Sequence, residues 1–312
     1  MAQGQGSSVS LRVGTEPSFG VNADEMAEVP FIPSLTLKET QNQNESAVIR
    51  GTRDTGEPFL GYRQAESSFS IPLDTKLSGF WFKKALGQVA SVDDGDGNYT
   101  HTFTKNDTSL ESMTIEKAHK DIGTYHLGNG FKVNTFNISF GGEDEAKLDL
   151  EFLGQKVSLN TSELVAPSTG GEGAYFEPFQ CTVTGASNVK NASISFTNNL
   201  DGDQYVIGDG GTRGEIPLGM IAVSGSFTAL YENDDLLATA KASTTNAMSM
   251  KFEIDATKSV EFKLGELKLE PTGIEVGSPA GLEQTFNFKA FWKSGADNSA
   301  LAVVLKNQVA SY

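Results

Sequence analysis

Apolar residues recur at every second position over much of the chain. Phe136, Ile138 and Phe140 alternate with Asn137 and Ser139, and Leu148, Leu150 and Phe152 alternate with Asp149 and Glu151. Ile194 and Phe196, Met248 to Ile254, and Phe286 to Trp292 repeat the pattern. Period two marks strands with one buried and one wet face. Glycine, asparagine and aspartate fall between these runs, where turns are needed. Two stretches depart from it. Leu77–Gly87 places Leu77, Phe80, Trp81 and Ala85 at helical spacing and ends on a glycine, a helix stop. Asp234–Lys241 opens on acids and closes on a lysine, as a helix dipole prefers. The pattern predicts a mainly β fold with few, short helices.

The chain also matches itself. With Leu60-Gly61 laid over Leu218-Gly219, Ser68-Phe69 falls on Ser226-Phe227, and after a one-residue shift Leu77 falls on Leu236. Upstream, Ser34 to Leu37 falls on Ser193 to Phe196; downstream, Met113 falls on Met250 and Leu148 on Phe286. The second copy lacks the acidic loop around Asp93, Asp94 and Asp96. The expected organisation is therefore two tandem β-sandwich or barrel repeats, each with one short α-helix. The boundaries are an N-terminal arm over 1–20, a first β domain over 21–165, a linker over 166–175 and a second β domain over 176–312. The Pro167-to-Gly173 stretch is the most linker-like of the chain.

Composition narrows the function classes. The formal charge of −16 excludes a general nucleic-acid binder, which needs a basic face. The lone Cys181 cannot form an intrachain disulfide, and its surroundings read as a strand with a half-buried thiol. No apolar run reaches the length of a membrane span, and the first eight residues lack a signal's charged and apolar regions, so synthesis in a cytoplasm is expected. His101, His119 and His126 have no ligand spacing and read as surface or edge-strand residues; no nucleophile elbow or phosphate loop occurs. Asp94-Gly95-Asp96-Gly97-Asn98 and Asn199-Leu200-Asp201-Gly202-Asp203 start like calcium loops but lack the later ligands, and read as β-turns. No catalytic residue, metal or cofactor is expected.

The strings Ser68 to Leu73, Phe80 to Leu86, Tyr99 to Phe103 and Ser112 to Lys117 resemble the tail tube proteins of tailed bacteriophages. So do Asn198 to Asp201, Val223 to Phe227 and Arg12 to Gly20, and the resemblance spans about residues 10 to 293. It implies a β-sandwich flanked by a short helix, rings whose inner strands join into one barrel, and rings stacked into a tube for DNA ejection. Two tube-like halves would let three chains, favoured over six, form a pseudo-sixfold ring. Partners would be further copies, neighbouring rings, tape measure, tail terminator and tail-tip proteins, and DNA passing without sequence-specific binding, with no membrane. The location would be the virion tail tube, assembled in the host cytoplasm. The negative charge would keep the duplex off the wall.

Roles follow coarsely from the resemblance. Glu39 to Glu66, with Arg50, Arg53 and Arg63, would be a long hairpin reaching the next ring, and Asn198 to Ala222, with Arg213, its counterpart. These arginines would meet acidic surfaces such as Glu143-Asp144-Glu145. Solvated loop charges are the equal alternative. Phe80, Trp81 and Leu236 would pack the helices, with an interface role for Trp81 and Phe82 as the lesser option. The arm before Phe19 would order only in the tube. The rival readings are another β-rich virion protein, such as a fibre or decoration protein, and a ligand-binding β-sandwich module. Whether the tail contracts is left open.

Overall fold

The computed structural model describes residues 3–143, 145–274, 281–293 and 299–312. The β-rich expectation holds. Among the described residues, eighteen strands form one connected network, with two α-helices. In chain order they are β1 (Val9–Thr15), β2 (Ala27–Val29), β3 (Ile32–Asn44), β4 (Phe59–Pro72), α1 (Leu77–Leu86), β5 (Gly87–Gly95), β6 (Asn98–Lys105), β7 (Met113–His119), β8 (Thr124–Phe140), β9 (Lys147–Gly154), β10 (Lys156–Asn160) and β11 (Ser168–Thr169). There follow β12 (Cys181–Thr184), β13 (Val189–Thr197), β14 (Ala222–Leu230), α2 (Asp235–Lys241), β15 (Asn246–Asp255), β16 (Lys258–Leu269), β17 (Glu283–Ala290) and β18 (Ala302–Asn307).

Two long strands, β8 and β16, each serve two sheets. The first part of β8 pairs with β7 on one side and β10 on the other; its last part pairs with β9 and β13. Gly130, at φ 69°, and a register shift at Val133/Thr135 mark the crossing. An extra residue there bends and twists the strand. Likewise β16 pairs with β15 and β18 before Gly265, and with β17 at Leu267–Leu269, where Leu267 also meets Asn246 of β15 across a register shift.

The result is one long antiparallel sheet, β3-β4-β9-β8-β13-β14-β17-β16, backed by two smaller ones. A single row of it reads Ile71, Leu148, Ile138, Ile194, Gly225, Phe288 and Leu269 across seven strands. That row faces the core. Gly225 leaves room for the Phe288 ring, whose Cζ would lie 2.4 Å from an added Cβ. The neighbouring row, Ser70, Asp149, Asn137, Ser195, Ser224, Lys289 and Lys268, faces away. Strict alternation therefore survives through the whole sheet, because a one-residue slip would turn every phenylalanine outward.

The buried side is one continuous core. Phe136 stacks on Phe196 at 4.9 Å where β8 meets β13, and Phe82 of α1 meets Phe262 of β16 edge-on at 5.6 Å. β18, near the C-terminus, pairs with β6. The expected arm over 1–20 is corrected here: β1 is an interior strand between β2 and β7, with Leu11 and Val13 buried. Its Arg12 holds Glu116 and Glu163, each at 2.8 Å.

Candidate assembly surfaces

β3 and β4 form the long hairpin expected over Glu39 to Glu66, joined by an exposed segment at 45–58. Arg50 and Arg53 lie exposed on that segment. Arg63 stands further back on β4, 3.6 Å from the Glu39 carboxylate. Around the tip, Val48, Ile49, Phe59, Leu60 and Tyr62 are exposed. An exposed apolar cluster of this kind marks a contact surface. Glu143 and Glu145 are exposed in the turn between β8 and β9; Asp144 lies outside the described residues.

Arg213 is placed differently from the expectation. The segment between β13 and β14 is not a second strand hairpin; it carries only an isolated bridge between Tyr205 and Arg213 and folds onto the first half. Tyr205 stacks on Tyr62 at 4.2 Å, and the Arg63 amide donates to the Gly211 carbonyl at 2.8 Å. Arg213 is 4% exposed and donates to three main-chain carbonyls: Gly202 at 2.5 Å, Ala65 at 3.0 Å and Gly154 at 2.7 Å. Those carbonyls bind it within its own chain. Lys132 grips the same segment through Glu215 at 2.6 Å and the Ile216 carbonyl at 3.1 Å.

The helices serve the core. Trp81 and Phe82 are fully buried, while Phe80 packs edge-on against Trp81 at 5.0 Å and is partly covered. The helical face includes Phe82, which the spacing of Leu77, Phe80, Trp81 and Ala85 had left out. Leu236 of α2 is half-buried against the same core. Lys84 lies buried in α1, 2.6 Å from Glu111 and over the Phe80 ring. Burial pushes its ammonium below the usual lysine range, against the pull of Glu111.

Where β8 meets β13, Asn198 is buried and donates to the Val133 and Ala85 carbonyls, both at 2.9 Å. Ala85 lies in the last turn of α1, whose carbonyls lack helical partners. One amide thus caps the helix of the first half and closes the junction with the second.

The remaining chemistry-bearing residues are structural. His101 is not at the surface: it is fully buried, its Nδ1 beside the Ser91 hydroxyl at 2.7 Å and its Nε2 donating to the Val309 carbonyl at 2.8 Å. The C-terminal Tyr312 covers it edge-on at 4.8 Å. His119 and His126 are half-buried neighbours on β7 and β8. Asp96 and Gly97, at φ 55° and 74°, form the tight turn of the β5–β6 hairpin, as two positive φ angles require. Asp201 accepts from the Asp203 amide at 3.0 Å, closing a turn of its own. Burial pushes the half-buried Cys181 thiol up to about 11, leaving it a neutral strand residue. Among the described residues no His, Cys, Asp and Glu cluster suits a metal, and no helix is long and apolar enough to cross a membrane.

A family model described as phage tail tube protein matches residues 6–290. The chain belongs to the phage tail tube protein family. No curated protein matches it closely enough to count as a relative. This tail tube protein is a structural, non-catalytic component of the phage virion.

Its sequence hid several of the residues that matter most. Asn198 appears in one of the resembling strings, but its two acceptors lie at 85 and 133. The Arg213 clamp left no periodic signal, because carbonyl acceptors are not encoded by side-chain type. The only hint was an arginine inside a glycine-rich segment of a tail tube protein that is otherwise acidic.

Proposed function

We propose that three chains close into a ring with pseudo-sixfold symmetry, and that stacked rings form the tube through which DNA leaves the capsid. The observation carrying this reading is the long sheet itself. It crosses from the first half to the second by an ordinary antiparallel ladder, Thr135–Phe140 against Ala192–Thr197. Its two ends are open: among the described residues β3 pairs only with β4, and the last two residues of β16, Lys268 and Leu269, pair only with β17. A chain that joins its own halves edge to edge, and keeps both outer edges free, can repeat that joint with the next copy. Pro271 lies two residues beyond the end of β16, where a missing N–H restrains pairing before assembly.

Tandem duplication supports the symmetry. The order β1-β7-β8-β10 in the first half is answered by β12-β15-β16-β18 in the second. Similarly β3-β4-β9-β8 is answered by β13-β14-β17-β16, with one helix following β4 and β14. With Ser68 laid over Ser226, their ladder partners place Thr36 over Ser193 and Glu151 over Asn287. Each differs by two residues from the best sequence match. Such a shift keeps every residue on its face and so escapes a periodicity argument. The boundaries at 21–165, 166–175 and 176–312 follow from the same reading.

Size separates three chains from six. Eight strands per chain at ~4.8 Å spacing and ~40° tilt make a three-chain barrel about 45–50 Å across. Side chains leave roughly 35–40 Å, enough for a hydrated duplex. Six chains would give about 90–100 Å, far wider than a DNA passage needs. Between rings, Arg50 and Arg53 on the hairpin would meet carboxylates such as Glu143 and Glu145, with the exposed apolar tip residues buried between them. The tape measure, terminator and tip proteins would contact the tube by their place in the tail. The test is the native mass of rings released from short tubes. Three chains per ring is expected; six would sink the proposal.

A further inference from the structure

The two smaller sheets end differently. β10 and β18 hold the same place, each flanking a crossing strand, β8 or β16, on the side away from β7 or β15. The outer edge of β18 carries a further hairpin: β6 pairs with β18, and β5 with β6. That hairpin comes from the first half and lies on the sheet of the second. β10 has no such cover; among the described residues it pairs only with β8. The second half holds no hairpin of its own at this point, because α2 leads into β15 through residues 242–245 alone. Glu39 fills part of the vacant edge. Its carboxylate accepts from the outward Val157 amide at 2.8 Å, where a neighbouring strand would set a carbonyl. The Leu159 amide, two residues on, points the same way, and the Leu159 side chain is 73% exposed.

We propose that the outer edge of β10 is a docking site for a β-hairpin with an acidic tip, supplied by a different protein of the tail. The inference rests on the ring reading. β10 lies beside β3, the edge strand that meets the next chain, so each joint between chains leaves a gap two strands wide, about 10 Å. A second copy does not fill it, because the β5–β6 hairpin of each chain already lies on its own β18. That hairpin shows what fits. With Met113 laid over Met250, the ladder partners place Ser158 over Lys306 and Leu159 over Asn307. Asn307 faces Tyr99, beside the hairpin's tip, so an incoming tip would lie at Leu159. The Leu159 row continues through His126 to Lys117. Lys117 has no carboxylate partner among the described residues, and burial holds its ammonium below the usual lysine range. Lys156, at the start of β10, is likewise without an ion pair among them. A chain of −16 thus sets unpaired cations beside this edge. An acidic tip, such as Asp93, Asp94 and Asp96 give the β5–β6 hairpin, complements them. Main-chain hydrogen bonds to the edge supply the affinity.

The test uses tubes assembled from the purified chain and, as probe, a fluorescent, backbone-cyclised peptide of residues 88–104. Wild-type tubes should bind it up to one probe per chain, less tightly at high salt. Leu159→Pro removes an outward N–H and spares the ladder to β8, as an edge strand tolerates. Its tubes should bind the probe about tenfold more weakly. Leu159→Asp, which sets an acid against the acidic tip, serves should the proline variant not fold. Electron cryo-microscopy of tails from virions should show two added strands of another protein beside β10. Wild-type tubes that bind no probe, or Leu159→Pro and Leu159→Asp tubes that bind it as tightly, would overturn the inference while leaving the tube intact. So would a bare β10 edge in virion tails, or strands of a neighbouring copy on β10 in tubes of the purified chain. Rings of six chains, or no hollow tubes at all, would overturn the ring reading, and the inference with it.

Discussion

Replacing Arg213 separates two roles. As a clamp it supports the free subunit; as an inter-ring contact it would matter only in the tube. The guanidinium donates to the carbonyls of Gly202, Ala65 and Gly154, joining the segment before β14 to the middle of β4 and the end of β9. Arg213→Ala leaves those buried acceptors without a donor, at about 1–3 kcal/mol each. It also removes a charge that costs several kcal/mol to hold out of water, so the net loss should be about 2–4 kcal/mol. Arg213→Lys should restore little, since an ammonium cannot span three carbonyls in a plane. Urea unfolding of the unassembled subunit, followed by tryptophan fluorescence from the buried Trp81, reads this directly. With a slope of about 3 kcal/mol per molar, the midpoint should fall by roughly 1 M. An unchanged midpoint combined with impaired tube formation would refute the clamp and return Arg213 to the subunit interface.

Other expectations follow from neighbouring contacts. Asn198→Asp should destabilise the subunit more than Asn198→Ala, which should itself cost about 2–4 kcal/mol, because a buried carboxylate would face the Val133 and Ala85 carbonyls; denaturant melts of both variants check this. Gly79→Ala should displace Tyr312, whose Cζ would lie 2.2 Å from the new Cβ, and cost about 1–3 kcal/mol by calorimetry. Burial, with the charges of Lys117 and His119, holds His126 below the usual histidine range. The folded state thus resists protonation, so stability should fall as pH drops from about 7 toward 5, and His126→Gln should flatten that slope in pH-dependent melts.

The legible part of the fold was the part set by side-chain period. Phe136 and its neighbours announced strands, and Leu77 to Gly87 announced a helix, because burial acts on residue type at fixed spacing. The long hairpin came instead from the resemblance to tail tube proteins. Pairing between distant strands was not legible. β18 lies against β6 through contacts some two hundred residues apart, and nothing local specifies them. His101 shows the same limit: its alternating run fixed the strand, but its burial depends on the C-terminal Tyr312. Arg213 read as a free loop charge because its partners are carbonyls, which every residue carries.

Hydrogen exchange on free and assembled protein tests the joining of sheet edges most directly. Amides of Ala192–Thr197, inside the chain's own joint, should be protected in both states. The outward-facing amides of β3 should exchange quickly in the free subunit and become protected in the tube, together with those at the end of β16. Fast exchange along β3 in fully formed tubes would contradict the account.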